Sequence, residues 1–177
     1  MRVIKPPEVL DIGESFSIFL AGSIEMGRAV DWQKEAERVF EGENVIILNP
    51  RRDVWDSSWE QTIDNPVFRE QVEWELEAME CADLIIMYFE SNTQSPISLL
   101  ELGLFGRRVP VRDTRRRSTH RMVVCCPDGF WRKGNVDIVC NRYGIQQFED
   151  LDLMLKWAKE LFKFEFYGCC EKCGNSY

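Results

Sequence analysis

The sequence has almost no histidine, no excess of positive charge and no long apolar run. One of the 177 residues is His, and 30 acidic residues outnumber 22 basic ones, which gives a net charge of -8. Because nucleic-acid phosphates attract basic surfaces, we expect no stable nucleic-acid binding. No run approaches the roughly 20 apolar residues of a membrane span. The first apolar segment is too short and poorly flanked for a signal peptide, so we expect a cytoplasmic protein with no membrane partner.

Cysteine pairs at zinc-binding spacing are nearly absent. Cys170 and Cys173 form one C-x-x-C pair near the terminus, with no second pair to complete a metal site. The number of cysteines is odd, and three lie in apolar segments, where a free thiol behaves as a small hydrophobic group. The seven are at positions 81, 125, 126, 140, 169, 170 and 173. We expect reduced thiols, a reducing compartment and no bound metal.

Internal repeats and low-complexity segments are also missing, and the composition is globular, with 45% hydrophobic and 12% aromatic residues. A chain of this length most simply forms one domain with a substantial core. We predict a single domain over residues 1–177. Residues 1–15 form an entry arm in this interpretation, and residues 165–177 a Cys/Gly-rich tail. Residues 107–121 contain seven arginines and form either a solvated loop or a contact for phosphate.

Short apolar runs alternate with amphipathic stretches along the chain, as in α/β proteins. Strands are predicted at 16–21, 44–48, 83–89, 122–126 and 135–140, and helices at 31–41, 66–82, 95–106 and 150–164. This order predicts a flavodoxin- or Rossmann-like three-layer α/β/α sandwich with a five-stranded, mainly parallel sheet. Ligands of such sheets bind beyond the carboxyl ends of the strands. Loops at 22–27, 49–59, 90–95 and 127–135 should therefore share one rim.

Two carboxylates interrupt apolar helix faces near that rim. Glu101 is the one charge in a predicted helix that begins with Ser95 as N-cap. It is either partly exposed, held by a structural hydrogen bond, or buried for use, because burial of an unpaired carboxylate is costly. Glu75 lies on the apolar stripe of the preceding helix and is either an edge charge that reaches water or a second inward acid.

A pair of inward acids suits cleavage of a glycosidic bond. One carboxylate attacks or shields the anomeric carbon, while the second acid manages the leaving group. Trp55 and Trp59, in the long loop after the second predicted strand, either stack on a flat leaving group or pack the loop. Gly22 and Ser23 end the first predicted strand and form either part of a ligand loop or a tight turn that needs glycine.

Three segments together resemble the nucleoside 2-deoxyribosyltransferase superfamily, including its 2'-deoxynucleoside 5'-monophosphate N-hydrolase branch. They are Phe19-Leu-Ala-Gly-Ser-Ile-Glu-Met-Gly27, Ala82-Asp83-Leu-Ile and Ser95-x5-Glu101-Leu-Gly103. The resemblance covers roughly residues 16–145 and implies that Glu101 attacks C1' of the deoxyribose. It also implies that Glu75, where the family more often has Asp, holds the base and helps to protonate it.

The resemblance extends to the sugar end of the substrate. It assigns the 5' end to Asn135, commonly contributed by a neighbouring subunit, and so implies a homo-oligomer with shared sites. It implies a small nucleoside or nucleotide as partner, and no metal or organic cofactor. Ser95 stands where the hydrolases have Ser, which favours a phosphate bound at a helix N-terminus. Glu25 stands where they have Arg, and it would repel a phosphate unless Arg28, Arg51 or Arg52 substitutes for it.

Phe19 occupies the position where the family usually places a Tyr that orients the nucleophile, and a phenyl ring cannot donate a hydrogen bond. We expect an enzyme that cleaves or transfers the N-glycosidic bond of a (deoxy)nucleoside or its 5'-monophosphate. The alternative, which Phe19 and Glu25 favour, is a non-catalytic module that binds a nucleotide or nucleotide-sugar. Cytokinin-activating enzymes are disfavoured, because the sequence lacks their Gly-Gly-x-Gly-Thr phosphate loop.

Overall fold

A parallel sheet between two layers of helices forms the protein in a computed structural model, which describes residues 1–25, 29–52, 58–107 and 122–168. The strands are β1 (Arg2–Ile4), β2 (Phe16–Gly22), β3 (Val45–Leu48), β4 (Leu84–Tyr88), β5 (Met122–Cys125) and β6 (Gln146–Phe148). The helices are α1 (Trp32–Val39), α2 (Pro66–Cys81), α3 (Pro96–Phe105), α4 (Lys133–Tyr143) and α5 (Leu151–Tyr167). None of these helices combines the length and apolar character needed to cross a bilayer.

The strand order across the sheet is β1-β3-β2-β4-β5-β6, and every pairing is parallel. From β2 the chain moves outward to β3 and then returns to the other side of β2 to form β4. The direction of winding therefore reverses between β2 and β4, which is where open sheets of this class bind ligands. The predicted Rossmann-like α/β class is confirmed.

Each face of the sheet carries its own core. Successive side chains of a strand point to opposite faces, so Phe19 and Ala21 of β2 pack on one side, and Ile18 and Leu20 on the other. The first core contains residues of α2, α3 and α4, and the second contains residues of α1 and α5. Because α2 and α3 share a layer, the helices that carry Glu75 and Glu101 are neighbours.

The sheet has six strands in the described residues, where five were predicted. The predicted strand at 135–140 is wrong, because this segment belongs to α4. Val136, Ile138 and Cys140 stand two residues apart, as on one face of a strand, but only Val136 and Cys140, one helical turn apart, are buried, while Ile138 is exposed. Gly144 then ends the helix with the positive φ of 67° that favours glycine.

The two strands that the prediction missed lie at the edges of the sheet. β1 is only three residues long, falls within the predicted entry arm and pairs with β3 alone. β6 reads Gln-Gln-Phe, so its composition lacks the apolar run of a buried strand. The Arg-rich loop from residue 108 to 121 and the tail from 169 lie outside the described residues.

Asp83 of the resemblance motif has a structural role in this fold. Its Oδ2 accepts hydrogen bonds from the backbone N–H and the Oγ of Ser17, at 2.8 and 3.0 Å. Because Ser17 and Asp83 lie at the start of β2 and beside the start of β4, this carboxylate joins the amino ends of the two central strands. The ligand rim lies at the opposite end.

Gly22 ends β2 against the backbone of β4. Its φ is +133°, and a Cβ at this position would collide with the backbone carbonyl oxygen of Tyr88. Ser23 continues the pairing, since its N–H donates to the same carbonyl at 2.9 Å. The close approach of two backbones at the rim therefore requires glycine, which is the tight-turn interpretation of Gly22.

We expect Gly22→Ala to lower the free energy of unfolding by more than about 1 kcal/mol, because alanine adds both strain at positive φ and a backbone clash. Gly103→Ala is the matched control, since Gly103 is exposed in α3 and a Cβ there meets nothing within 4 Å. It should stabilise the protein by roughly 0.5–1 kcal/mol. Urea unfolding of both variants measures this, and equal effects would contradict the assignment.

Candidate active site

Glu101 is buried in a helix that exposes three of its apolar side chains. The residue is 8% exposed, whereas Ile97, Leu100 and Leu104 of α3 are 58–59% exposed. Glu101 is also the only charged residue of α3. The exposed interpretation of Glu101 is therefore wrong, and the helix directs its one carboxylate into the protein, on the side of α2.

Glu75 of α2 is held by a neighbour one turn earlier. The Nε2 of Gln71 donates to Glu75 Oε1 at 2.7 Å and to the carbonyl oxygen of Pro50 at 3.0 Å. The Oε1 of Gln71 accepts a hydrogen bond from Arg52 Nε. With a carbonyl on one side and a guanidinium on the other, the amide can present only its N–H groups to Glu75. Gln71 is 3% exposed, so this arrangement is enclosed.

The pKa values of both carboxyls are raised above the ordinary value for glutamate. Burial raises the pKa of Glu75 to about 7, against the opposing effects of the Gln71 hydrogen bond and the Arg52 charge. Burial also raises the pKa of Glu101 to about 8, and the negative charge of Glu75 is the second cause. Two coupled acids of this kind titrate as a pair. Near neutral pH the pair therefore holds one proton, which is the state that acid–base chemistry with two carboxylates uses.

Arg52 links this pair to the long loop after β3. Its guanidinium carbon lies 5.4 Å from the ring centroid of Trp59, and its Nη2 lies 3.5 Å from Glu70 Oε2. Trp59 is thus a partly buried aromatic next to the site, with a cation over its ring. From the sequence, Arg52 was predicted only as a phosphate ligand, and Gln71 was not predicted, although Gln71 and Glu75 stand at the i, i+4 spacing of helical contacts. Trp55 lies outside the described residues.

Three hydroxyls meet at the carboxyl ends of β2 and β4. Ser23 Oγ lies 2.6 Å from Ser95 Oγ and 2.9 Å from Thr93 Oγ1, which is itself 2.8 Å from Ser95 Oγ. The N–H of Glu90 donates to Ser23 Oγ at 2.9 Å. Ser95 does precede α3 as predicted, but its side chain makes no capping hydrogen bond, because the hydroxyl is turned toward Ser23. Thr93 and Glu90 were not among the predicted residues.

Phe19 and Asn135 lie in very different surroundings. Phe19 is 1% exposed in the middle of β2, and its ring centroid is 6.5 Å from that of Trp74 of α2. Asn135 is exposed near the start of α4, and its N–H donates to the carbonyl oxygen of Arg132 at 2.9 Å. Phe19 thus belongs to the core beneath the two acids, whereas Asn135 is on the outer surface.

Arg51, one of the predicted phosphate ligands, is engaged in holding the chain ahead of α1. Its guanidinium donates to the carbonyl oxygens of Ala29 and Val30, at 3.1 and 3.2 Å, and to Gln33 Oε1 at 3.3 Å. Arg28 lies outside the described residues.

A separate groove of about 420 Å³ follows the outside of α2, but neither Glu75 nor Glu101 lines it. The site is therefore defined by the two carboxyls and the rim around them.

Burial of the acid pair makes stability depend on pH. Since the folded-state pKa values of about 7 and about 8 exceed the ordinary 4.5, the folded state holds these protons more tightly than the unfolded state. Both states are protonated below about pH 4.5, where burial carries no charge penalty. As pH rises from there through about 8, the unfolded chain loses its protons first, and the folded state is destabilised.

We expect Glu101→Gln, which keeps the shape but cannot ionise, to exceed the wild type in stability by on the order of 3 kcal/mol at about pH 8.5. The two proteins should be equal near pH 4. Glu73→Gln is the control, because Glu73 is exposed on α2 and pairs with Arg69 at 2.7 Å. Urea unfolding across this pH range measures the effect, and a difference between wild type and Glu101→Gln that is independent of pH would contradict it.

Comparison with known proteins gives a family match that covers both acids. No curated protein matches the sequence. A family model described as nucleoside 2-deoxyribosyltransferase like matches residues 15–130, which is more than half of the chain and contains β2, α2, β4 and α3 with both acids. The match ends before α4 and Asn135. The chain belongs to the nucleoside 2-deoxyribosyltransferase-like family.

Proposed function

We propose that the protein cleaves or transfers the N-glycosidic bond of a (deoxy)nucleoside or its 5'-monophosphate. The observation that carries this proposal is the placement of two inward carboxyls, the buried Glu101 of α3 and the Gln71-bound Glu75 of α2, in one helix layer beside the point where the sheet reverses its winding. Family membership supports the same chemistry. The substrate contacts are the aromatic rings and hydroxyls around the rim.

In this mechanism the ionised carboxylate of Glu101 attacks C1' of the sugar. The C1'–N bond breaks, its electron pair goes to the base, and Glu75 supplies the proton that the departing base needs. A glycosyl ester on Glu101 results. Water then attacks C1' and releases Glu101 in hydrolysis, while a second base does so in transfer, and the proton lost by either attacking group returns to Glu75. No metal or organic cofactor takes part in these steps.

The contacts around Glu75 define how the proton is shared. Gln71 and Arg52 both favour the ionised form of Glu75, so they place the proton of the pair on Glu101 in the free protein. The reactive form has the opposite arrangement, with the charge on Glu101. A bound base that accepts a hydrogen bond from Glu75 holds the proton there, which leaves Glu101 ionised. Substrate binding thereby activates the nucleophile.

The other proposed contacts follow the rim. Gly22 and Ser23 border the sugar, Ser95 lies at the start of α3 beside them, and Trp59 and Trp55 stack on the base. Phe19 packs below the sugar in place of a tyrosine. This lack of a hydroxyl favours the rival proposal, a non-catalytic module that binds a nucleotide or nucleotide-sugar.

We expect free base to be released from one or more deoxynucleosides or 5'-monophosphates, and Glu101→Gln to reduce the rate by roughly 1,000-fold or more. The profile of kcat/KM should be bell-shaped between about pH 7 and 8, because the singly protonated pair reacts. Glu75→Gln should lose the alkaline limb, since no second proton remains to be lost. Adding a second free base separates transfer from hydrolysis.

Chromatographic detection of the base after incubation is the measurement, and Glu73→Gln is the control with an equal change of charge on the same helix. Binding of a nucleotide without any base release, with Glu101→Gln indistinguishable from wild type, would establish the binding module instead.

We also propose a homo-oligomer whose subunits share active sites. Ile97, Leu100 and Leu104 form an exposed apolar row on α3, with the spacing of one helix face, directly outside Glu101. Asn135 is exposed on α4 of the same layer, which suits a contact with a neighbouring subunit's substrate. The free thiols of Cys125, Cys126 and Cys140 agree with a reducing, cytoplasmic location.

We expect Leu100→Lys to shift the wild-type oligomer toward monomer, because it places a charge in the apolar row. Val9→Lys is the control, as Val9 is 82% exposed before β2 and away from α3. Analytical ultracentrifugation measures both. Mixing Glu101→Gln with Asn135→Ala protein should restore activity if the two residues come from different subunits. A monomeric wild type would contradict the proposal.

A further inference from the structure

The N-terminus of α3 already holds an anion, and that anion belongs to the protein. Glu25 Oε1 accepts hydrogen bonds from the backbone N–H groups of Gln94 and Ser95, at 3.0 and 2.8 Å. We call these two N–H groups the amide pair. Ser95 has a φ of +43°, and successive N–H groups in such a turn form a concave site for anions. The positive end of the helix adds to the attraction.

The Oγ of Ser95 does not compete with Glu25 for the amide pair. An N-cap serine ordinarily offers its own Oγ to the first amides of a helix, but the Oγ of Ser95 is bound to Ser23 and Thr93 instead. Glu25 also has a positive φ, of 47°, which a residue with a side chain adopts only where its surroundings enforce it. A strained backbone on both sides of the contact therefore brings this carboxylate to the amide pair.

The amide pair lies where the far end of a substrate would reach. Glu101 is six residues beyond Ser95, which is about 9 Å along the axis of α3. In the pose that we propose, C1' lies at Glu101 and the 5' substituent of the sugar points toward Ser95. A helix N-terminus is a common site for phosphate. Here a 5'-phosphate would have to displace Glu25 or lie beside its negative charge, and like charges in contact are strongly unfavourable.

Described cations near this turn do not offset the charge of Glu25. Arg51 donates to backbone carbonyls of the chain before α1, as described above. Arg132 lies 4.3 Å above the ring of Trp131, whose Nε1 donates to the carbonyl oxygen of Gln94 at 2.9 Å. Arg132 is exposed and is thus the described cation that a phosphate at this turn could recruit. It is included in the test for that reason.

We propose that Glu25 is a specificity residue that fills the amide pair, so that the site selects nucleosides with a neutral 5'-hydroxyl over their 5'-monophosphates. This inference rests on the proposed function and narrows it to one of its two substrate classes. In this proposal Ser95 stabilises the turn through its hydroxyl contacts. The amides at the start of α3 bind the carboxylate of Glu25 and not a substrate phosphate.

The test compares kcat/KM for a deoxynucleoside and for its 5'-monophosphate. We expect the wild type to prefer the nucleoside by about tenfold or more, and Glu25→Gln to reduce this preference by about tenfold, because the amide keeps the size but not the charge. Glu90→Gln is the matched control. Its carboxylate lies at the same rim but accepts from the N–H of Val30, at 3.0 Å, so the preference should be unchanged.

Inorganic phosphate provides a measurement that does not depend on turnover. Phosphate should raise the melting temperature of Glu25→Ala, in which the amide pair is empty, and not that of the wild type or of Glu90→Gln. A wild type that prefers the monophosphate would overturn the role of Glu25, and loss of that preference in Arg132→Gln would show that Arg132 binds the phosphate. Stabilisation of the wild type by phosphate as strong as that of Glu25→Ala would also overturn it. In each case base release would still support the proposed function. Absence of base release from every substrate would overturn the proposed function and the substrate selection with it. The phosphate measurement would then still show whether Glu25 fills the amide pair.

Discussion

Burial of the Glu101 carboxyl is the constraint on which the site depends. Removing a carboxylate from water is costly unless it is neutralised or paired. In α3 the carboxylate shares the buried side with core packing, because Glu101 is buried together with Leu102. Ile97, Leu100 and Leu104 remain exposed. The helix therefore holds one carboxyl among its buried residues and three apolar side chains outside.

The same constraint accounts for the residues around Glu75. The negative charge of Glu75 raises the cost of ionising Glu101. Gln71 and Arg52 reduce the cost of ionising Glu75. Gln71 is itself fixed by the carbonyl oxygen of Pro50, at the end of the β3 segment. The proton shared by the two acids thus depends on a chain of contacts that runs from the loop after β3, through α2, to α3.

The rim is also closely packed. Gly22 allows the backbones of β2 and β4 to approach until a side chain no longer fits, and this approach brings Ser23 within reach of Thr93 and Ser95. The Nε1 of Trp32 supports the other side by donating to the carbonyl oxygen of Ser23 at 3.1 Å. Glu25 closes the turn against α3. At the reversal of winding, three hydroxyls and the Glu25 carboxylate therefore meet at the start of α3.

The α/β alternation, four of the five helices and the central strands were predictable, because the helices carry periodic apolar stripes and short continuous apolar runs such as Leu84–Tyr88 are typical of strands buried on both faces. The segment at 135–140 was mispredicted, since Val136, Ile138 and Cys140 fit a strand period as well as a helix, and only packing decides which residues are buried. The edge strands β1 and β6 were not predicted, because they are three residues long and pair on one side only.

By itself, the sequence determined the fold class, the family motifs and the presence of two acids on apolar helix faces, since these follow from local periodicity and spacing. Only the tertiary structure decided the environment of those acids. Desolvation and the proximity of Glu75 to Glu101 depend on how α2 and α3 share one face of the sheet. Likewise, the contacts of Gln71, Arg52 and Glu25 could not be read from the sequence, because each depends on a partner 4 to 70 positions away.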